Sequence, residues 1–180
     1  RRASAALGLR GRRIKANIRL GQPELIQMWR GLIEARSVGK VRAIGVNAIT
    51  QSEIEALVRA TGQKPDVVSV IYHPWVPEAQ KRYVSWLRGQ GIAVVANSMM
   101  DYRWEGSHHA AYKSIADECG RRHHVTGEQF IFQWVREQGL PWAYDMYTPE
   151  RLAHYLPCPR FRTDARDAEL LRSAAPWTCQ

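Results

Sequence analysis

The stretch GKVRAIGVNAITQSEIEALV, from Gly39 to Val58, decides the fold of this chain, because it predicts a strand, a tight turn and a capped helix in succession. The apolar run from Val41 to Val46 is typical of a short buried strand. Thr50 is followed three residues later by Glu53, which is the spacing of a capping box, and Gly62 supplies the glycine typical of a helix end. The stretch therefore predicts one β/α unit.

Strand and helix signals alternate outside this stretch. Predicted strands begin at about residues 41, 66 and 92, and a weaker fourth strand spans 142–146. One predicted helix ends near Gly39, and the others span 50–62, 77–89, 111–119, 126–138, 148–156 and 165–173. Alternation of this kind predicts parallel strands joined by right-handed crossovers. The predicted fold class is therefore α/β, with about four parallel strands and their helices.

Length and composition predict one ordinary globular domain with a buried core. The chain has 180 residues and a hydrophobic fraction of 45%. No apolar run approaches the roughly 18 residues that cross a bilayer, so no transmembrane segment is predicted. Cys119, Cys158 and Cys179 are odd in number and far apart, which indicates free thiols in a reducing compartment. A chain that begins at Arg1 rather than Met fits a processed form or a fragment.

The net charge of +9 is concentrated in a basic N-terminal arm. Residues 1–20 contain seven bases and no acid, whereas the remaining 160 residues contain 19 bases and 17 acids. Such an arm can bind nucleic acid, an anionic surface or an acidic protein face. Its composition is also typical of a mitochondrial or plastid import segment, and a solvated tail is the simplest alternative. We therefore predict an organellar location, with the cytoplasm as the alternative.

Seven short motifs carry a family resemblance through their order and spacing. They are Met28-Trp29 with Leu32-Ile33-Glu34 before Gly39-Lys40, Ile44-Gly45-Val46, Tyr72-His73-Pro74, Gly91-Ile92-Ala93-Val94, Val125-Thr126 with Gln129, Gln133-Trp134, and Thr148-Pro149-Glu150-Arg151-Leu152. Together they closely resemble the aldo-keto reductases over about three-quarters of the chain, from about Pro23 to Leu156.

The resemblance implies a partial TIM barrel. The family folds as an eight-stranded β/α barrel, and this chain corresponds to roughly its second half. The implied segments are a basic arm at 1–22, a half-barrel at 23–156 and a C-terminal tail at 157–180 with a short helix. The family's catalytic Asp, Tyr, Lys and His lie in the first half, so no catalytic residue is assigned here. His73 belongs to the Tyr-His-Pro motif and is not that catalytic histidine.

The resemblance also implies where a nicotinamide would contact the chain. The family holds the carboxamide with a Ser, an Asn and a Gln, and these positions are Asn47, Ala48 and Ser69 here. The Tyr on which the nicotinamide stacks corresponds to Asn97. Ala48 cannot form a side-chain hydrogen bond, Ser69 is shorter than Gln, and Asn97 offers no aromatic face. The nicotinamide half of the site is therefore expected to be weak.

The family's clamp for the adenosine phosphate is altered as well. Its Lys corresponds to Asp145 and its Ser or Thr to Met146, whereas its Arg is retained as Arg151; His154 and Tyr155 replace a frequent Glu and Asn. A carboxylate repels a phosphate that a Lys would attract. We therefore expect no bound cofactor, or NADP(H) if the chain is part of an enzyme. The vestigial cofactor positions are Asn47, Ser69, Asn97 and Arg151.

Other reactive residues are interpreted as structural. The pairs His108-His109 and His123-His124 lack the i, i+4 spacing of helical metal ligands, so we predict solvated loop histidines and no metal site. The basic turn 121–124 is predicted to be solvated. Cys119 lies on the inward face of a predicted helix, which indicates a buried, inert thiol. Trp104, in a predicted loop, is the tryptophan that we expect to contact a partner.

Four strands taken from a closed barrel leave two open edges and an apolar sheet face. We expect a second copy, a partner subunit of a larger protein complex, or an N-terminal half to cover them. The favoured hypothesis is a catalytically inactive, aldo-keto-reductase-like accessory or structural subunit. The first alternative is the C-terminal half of an NADPH-dependent carbonyl reductase. The second is an organellar RNA- or ribosome-associated protein bound through its basic arm.

Overall fold

The computed structural model describes residues 21–99, 107–143, 148–155 and 160–176. Residues 1–20 of the basic arm, Trp104, Asp145, Met146 and two of the three cysteines lie outside these ranges. In the described part, no helix is both long enough and apolar enough to cross a membrane.

Helices and strands alternate in the described part of the chain, as predicted. The strands are β1 (Gly45–Asn47), β2 (Val67–Ile71) and β3 (Ala93–Asn97). The helices are α1 (Gln22–Ser37), α2 (Gln51–Thr61), α3 (Glu78–Gly89), α4 (Ser107–Arg122), α5 (Gly127–Glu137), α6 (Pro149–Tyr155) and α7 (Ala165–Arg172).

The β1–α2 unit confirms the predicted strand followed by a capped helix. Thr50 caps α2 through a capping box with Glu53, and the glycine that ends the helix has a left-handed backbone, with φ of 68°. However, β1 starts four residues later than predicted. Its approach is set by Asp66, whose side chain accepts a hydrogen bond from the backbone N–H of Ile44 at 2.8 Å. Just before Gly45, the Asp66 carboxylate thus accepts the backbone hydrogen bond that a carbonyl of a neighbouring strand would accept in a regular sheet.

The sheet is parallel, with the strand order β1-β2-β3. Strands β1 and β2 pair in parallel, with Gly45 opposite Val67 and Asn47 opposite Ser69. Gly45 is required by close packing, since a Cβ there would lie 2.4 Å from the carbonyl oxygen of Val67. The sheet is open in the described residues, which agrees with a partial barrel.

The predicted fourth strand is reduced to a single parallel bridge between Ala96 and Trp142 in the described residues. Two backbone hydrogen bonds support it, from Ala96 N–H to the Pro141 carbonyl at 2.9 Å and from Ala143 N–H to the Ala96 carbonyl at 2.8 Å. The rest of the predicted strand, from 144 onward, lies outside the described residues.

The chain separates into two compact units, each with its own core. Among the described residues, the first unit contains 21–70 and 83–94. Its helices α1 and α2 pack together, and the buried Trp29 donates its indole N–H to the carbonyl of Gln63 at 3.1 Å. Leu57 is buried as predicted, but Val58, predicted to face inward, is 38% exposed. An apolar residue at the edge of a helical stripe often lies on the surface in this way.

The second unit contains the described residues of 71–82 and 95–176. Helices α4 and α5 pack against each other, and α5 is capped by the predicted box of Thr126 and Gln129. Phe130 and Val135 are buried as predicted, whereas Trp134 is half-buried. Helix α4 begins at Ser107 rather than near residue 111, so the prediction that His108 and His109 lie in a loop is wrong.

The C-terminal helix α7 is anchored in the second unit by two aromatic donors. The indole N–H of Trp75 donates to the carbonyl of Leu171 at 3.0 Å, and the hydroxyl of Tyr112 donates to the carbonyl of Ala175 at 2.8 Å. The two rings stack with their centroids 4.4 Å apart. The carbonyl of Leu171 lies in the last turn of α7 and lacks an intrahelical partner, so the Trp75 indole satisfies a group that would otherwise need water.

Candidate functional site

Asn47 and Ser69 lie at the carboxyl ends of two neighbouring parallel strands. Their Cα atoms are register partners, Asn47 is exposed and Ser69 is half-buried. The next residue, Ala48, donates its backbone N–H to the carbonyl of Ser69 at 3.0 Å. The carboxyl edge of a parallel sheet is where α/β proteins bind ligands. The structure therefore brings these two predicted positions together at the expected edge.

The other two predicted positions belong to the second unit. Asn97 ends β3 and is half-buried, and its backbone carbonyl accepts a hydrogen bond from Tyr72 N–H at 3.4 Å. The following residue, Ser98, has a left-handed backbone with φ of 48°. Arg151 lies in α6, and its side chain is outside the described residues.

Two altered positions have clear structural surroundings. Ala48 is exposed and has a left-handed backbone, with φ of 51°. Tyr155, which corresponds to a family Asn, is a buried core residue instead. Its hydroxyl donates to Glu128 at 2.6 Å, and its ring packs edge-on against Phe132 at 5.2 Å. Tyr155 therefore packs inside the second unit.

His73 is fully buried beside Trp75, with ring centroids 6.1 Å apart. Burial lowers the pKa of His73 to about 3, because an imidazolium would lose its hydration there. The ring is consequently neutral at physiological pH.

A second polar cluster was missed by sequence reasoning. Asp167 is completely buried, yet it accepts hydrogen bonds from Arg122, from the ring of His123 at 2.7 Å and from Asp164 N–H at 2.9 Å. Arg122 also pairs with Asp164 at 2.7 Å. Asp164 and Asp167 form a capping box at the start of α7. The Asp-x-x-Asp spacing was the local signal, but its two basic partners are over 40 positions away in sequence.

This cluster corrects two predictions. His123 is not a solvated loop residue: it stacks on Phe161 with centroids 4.4 Å apart and contacts Asp167. The basic turn is not merely solvated either, since Arg122 bonds to both carboxylates. Ligand atoms of His123, Asp164 and Asp167 lie within 4.8 Å of one another, as a metal site would need. The Arg122 guanidinium already supplies a cation there, so the cluster is satisfied without a metal.

Cys119 is a buried free thiol, as predicted. Burial, reinforced by the nearby Asp167 carboxylate, raises the pKa of Cys119 to about 12. The thiolate is the nucleophilic form of cysteine, so this thiol is unreactive at neutral pH.

Comparison with known proteins identifies the relatives of this fold. The chain is 42% identical over 114 residues to 2,5-diketo-D-gluconic acid reductase B of a Corynebacterium species, covering 63% of this chain and 39% of that relative. It is 27% identical over 156 residues to an NADPH-dependent D-xylose reductase of Meyerozyma guilliermondii, covering 79% of this chain and 47% of that relative. An aldo-keto reductase structure from a deep-sea metagenome library superposes with a TM-score of 0.72 at 20% identity, over 87% of this chain and 56% of that one.

The curated relatives and the structural neighbours consistently indicate the aldo-keto reductase family, with partial coverage. The chain spans about half the length of the curated relatives that it matches; for the xylose reductase, this share is 47%. No family model matches the chain. One structural neighbour, an Asp-to-Ala mutant in complex with NADPH, superposes with a TM-score of 0.66 at 23% identity over 82% of this chain and 52% of its own. The fold is thus a partial barrel of the aldo-keto reductase type.

Proposed function

We propose that this chain forms part of an NADPH-dependent carbonyl reductase, with the rest of the barrel supplied by residues outside this sequence. The observation that carries the proposal is the register of Asn47 with Ser69 at the carboxyl edge of β1 and β2. This edge is where relatives of this fold class bind ligands. The relatives at 42% and 27% identity are themselves named reductases.

The donor set at this edge fits a carboxamide in part. The side-chain amide of Asn47 can donate and accept, and the hydroxyl of Ser69 can do both as well. When bound, NADPH would supply the hydride. In this chain Asn47 and Ser69 would orient its carboxamide. The acid and base that complete carbonyl reduction would come from outside this sequence.

The edge position of β1 supports an added barrel half. Strand β1 is the first strand in the order β1-β2-β3, so one of its edges faces away from β2. A strand from an N-terminal half, from a second copy or from a partner subunit would extend the sheet there. The reductase proposal requires the N-terminal half, because that half carries the family's catalytic residues.

A catalytically inactive subunit of a larger complex is the second candidate. The observation that favours it is Ala48, whose methyl group stands in an exposed position where the family has an Asn. Asn97 also replaces the stacking Tyr. In this case the partial barrel would serve as a surface for another protein, and binding of NADPH would be absent.

The two candidates are separated by two linked experiments. First, NADPH fluorescence is titrated with the purified chain and with an Asn47→Ala/Ser69→Ala variant. Saturable binding that weakens about tenfold in the variant is expected, since two hydrogen bonds contribute about 0.5 to 1.5 kcal/mol each. Second, the N-terminal half of the Corynebacterium relative is fused upstream, and NADPH oxidation is measured with an aldehyde. Absence of both binding and oxidation favours the inactive subunit.

The basic arm suggests a further role in binding RNA or an anionic surface, and an organellar location. Arm-driven binding depends on displaced counterions, so it should weaken steeply as salt rises. Deleting residues 1–20 should then abolish binding to a single-stranded RNA probe. Salt-insensitive binding, or binding that survives the deletion, would contradict this role.

A further inference from the structure

The second unit contains a cavity that involves none of the cofactor positions. Its volume is about 520 Å³. The lining residues come from the end of α5 and from the segment before α7, and they are Gln133, Arg136, Glu137, Arg160, Phe161 and Arg162. Small-molecule sites usually measure about 300 to 1,000 Å³. The cavity is largely open to solvent, and its volume lies in this range.

The segment that carries two of the arginines is fixed to α5 by hydrogen bonds. Gln133 donates from its side-chain amide to the carbonyl of Phe161. Thr163 donates its backbone N–H to Glu137 at 3.1 Å and its hydroxyl to the same carboxylate at 2.5 Å. These bonds join Phe161 and Thr163 to Gln133 and Glu137, which lie one turn apart on α5. The segment that forms one wall of the cavity is therefore fixed to α5.

Burial alternates along this segment. Arg160 and Arg162 are exposed, whereas Phe161 and Thr163 between and after them are half-buried. Phe161 packs inward, with its ring stacked 4.4 Å from that of His123. Both arginines that flank Phe161 line the cavity.

The charge of the lining is positive. Three arginines face one carboxylate, that of Glu137, which gives a formal charge of +2. Glu137 is directed toward neutral donors, since it accepts from Gln133 at 3.1 Å and from both donors of Thr163. In the part of the chain that the structure describes, neither Arg160 nor Arg162 forms an ion pair. Two guanidinium groups are therefore available to an anion.

We propose that this cavity binds the phosphate monoester of a small molecule. Guanidinium groups bind phosphate through two parallel hydrogen bonds, which a lysine cannot reproduce. The carboxyl end of a helix such as α5 is itself unfavourable for an anion, so the arginine side chains must supply the attraction. The organic part of the ligand would occupy the remaining volume beside Phe161. This site is independent of the proposed reductase function.

The test uses the full chain and measures binding of glucose 6-phosphate by calorimetry, with glucose and inorganic phosphate as the comparison ligands. Saturable binding of glucose 6-phosphate is expected, with no binding of glucose and weaker binding of inorganic phosphate. In Arg160→Gln/Arg162→Gln the affinity should fall at least tenfold. The control Arg166→Gln/Arg172→Gln removes the same charge from exposed positions of α7 and should retain the affinity. Equal loss in both variants, or no saturable binding to the natural chain, would overturn the proposal.

A second measurement needs no variant. Phenylglyoxal modifies accessible arginines, and mass spectrometry of peptides reports each site. Glucose 6-phosphate should slow modification of Arg160 and Arg162 relative to Arg166 on the natural chain. Tight binding of inorganic phosphate, equal to that of the ester, would show an anion site without the organic subsite and would count against the proposal. Unchanged modification rates at all three arginines would count against it as well.

Discussion

Replacement of Asp167 by Asn tests whether the missed polar cluster anchors the C-terminal helix. Asn has nearly the same size as Asp but carries no charge, and its amide nitrogen would face a donor. The buried carboxylate accepts from Arg122, from His123 at 2.7 Å and from Asp164 N–H at 2.9 Å. A hydrogen bond to a charged group contributes about 1.5 to 3 kcal/mol. Because Arg122 is exposed and keeps its pairing with Asp164, we expect a loss of about 3 kcal/mol from the contacts of the buried carboxylate.

The assay is equilibrium unfolding in urea, followed by tryptophan fluorescence, with thermal unfolding beside it. For a chain of this size, a loss of about 3 kcal/mol corresponds to a fall in Tm of roughly 6 to 12 °C. Hydrogen exchange of α7 should accelerate in Asp167→Asn, since the helix loses its anchor. The matched control is Asp117→Asn, which breaks an exposed pair with Lys113 at 2.5 Å on α4. That control should change stability by less than about 0.5 kcal/mol.

A small effect of Asp167→Asn would show that the buried carboxylate does not anchor α7. If Asp167→Asn and Asp117→Asn destabilise the chain equally, burial and the multiple hydrogen bonds contribute nothing beyond a surface pair. A large loss of stability without faster exchange in α7 would also contradict it, because the carboxylate would then act elsewhere.

Three further predictions concern pH and backbone geometry. The pKa of His73 is lowered by burial from 6.5 to about 3, so only the unfolded chain takes up this proton as the pH falls below 6.5. The contribution of His73 to the free energy of unfolding is therefore complete above pH 6.5 and falls toward pH 3, by up to about 1.4 kcal/mol per pH unit. Urea unfolding at several pH values should show a smaller fall in the free energy of unfolding with decreasing pH for His73→Gln. An unchanged pH dependence would contradict this. Gly45→Ala should destabilise by about 1 to 3 kcal/mol through its clash with Val67, whereas Gly31→Ala, with open space around it in α1, should stabilise by about 0.5 to 1 kcal/mol; equal Tm shifts would disprove the packing argument. Ala48→Asn should raise the free energy of unfolding by about 0.5 to 1 kcal/mol, since Asn tolerates a left-handed backbone better than Ala does; a lower Tm would argue against it.

The sequence predicted features that depend on neighbours in the chain. The capping boxes at Thr50 and Thr126 were both confirmed, because a cap requires only residues three positions apart. The start of β1 was wrong, because it depends on Asp66, which is distant in sequence. The environment of His123 was wrong for the same reason, since its partner Asp167 lies on another helix. Residues that are close in sequence therefore determine which helices and strands form. Tertiary contacts determine where these elements begin and which polar side chains pair.

The Ala at position 48, on the carboxyl edge, is not explained by the needs of folding. Ala48 lies in a left-handed turn, with φ of 51°, where an Asn would be more comfortable than an Ala. The corresponding family residue is an Asn, so the change to Ala removes a hydrogen-bonding group and gains no backbone stability. By contrast Tyr155, at the position of another family polar residue, is buried and bonded to Glu128, so that change supports the core. Packing accounts for Tyr155, whereas nothing in the structure explains Ala48.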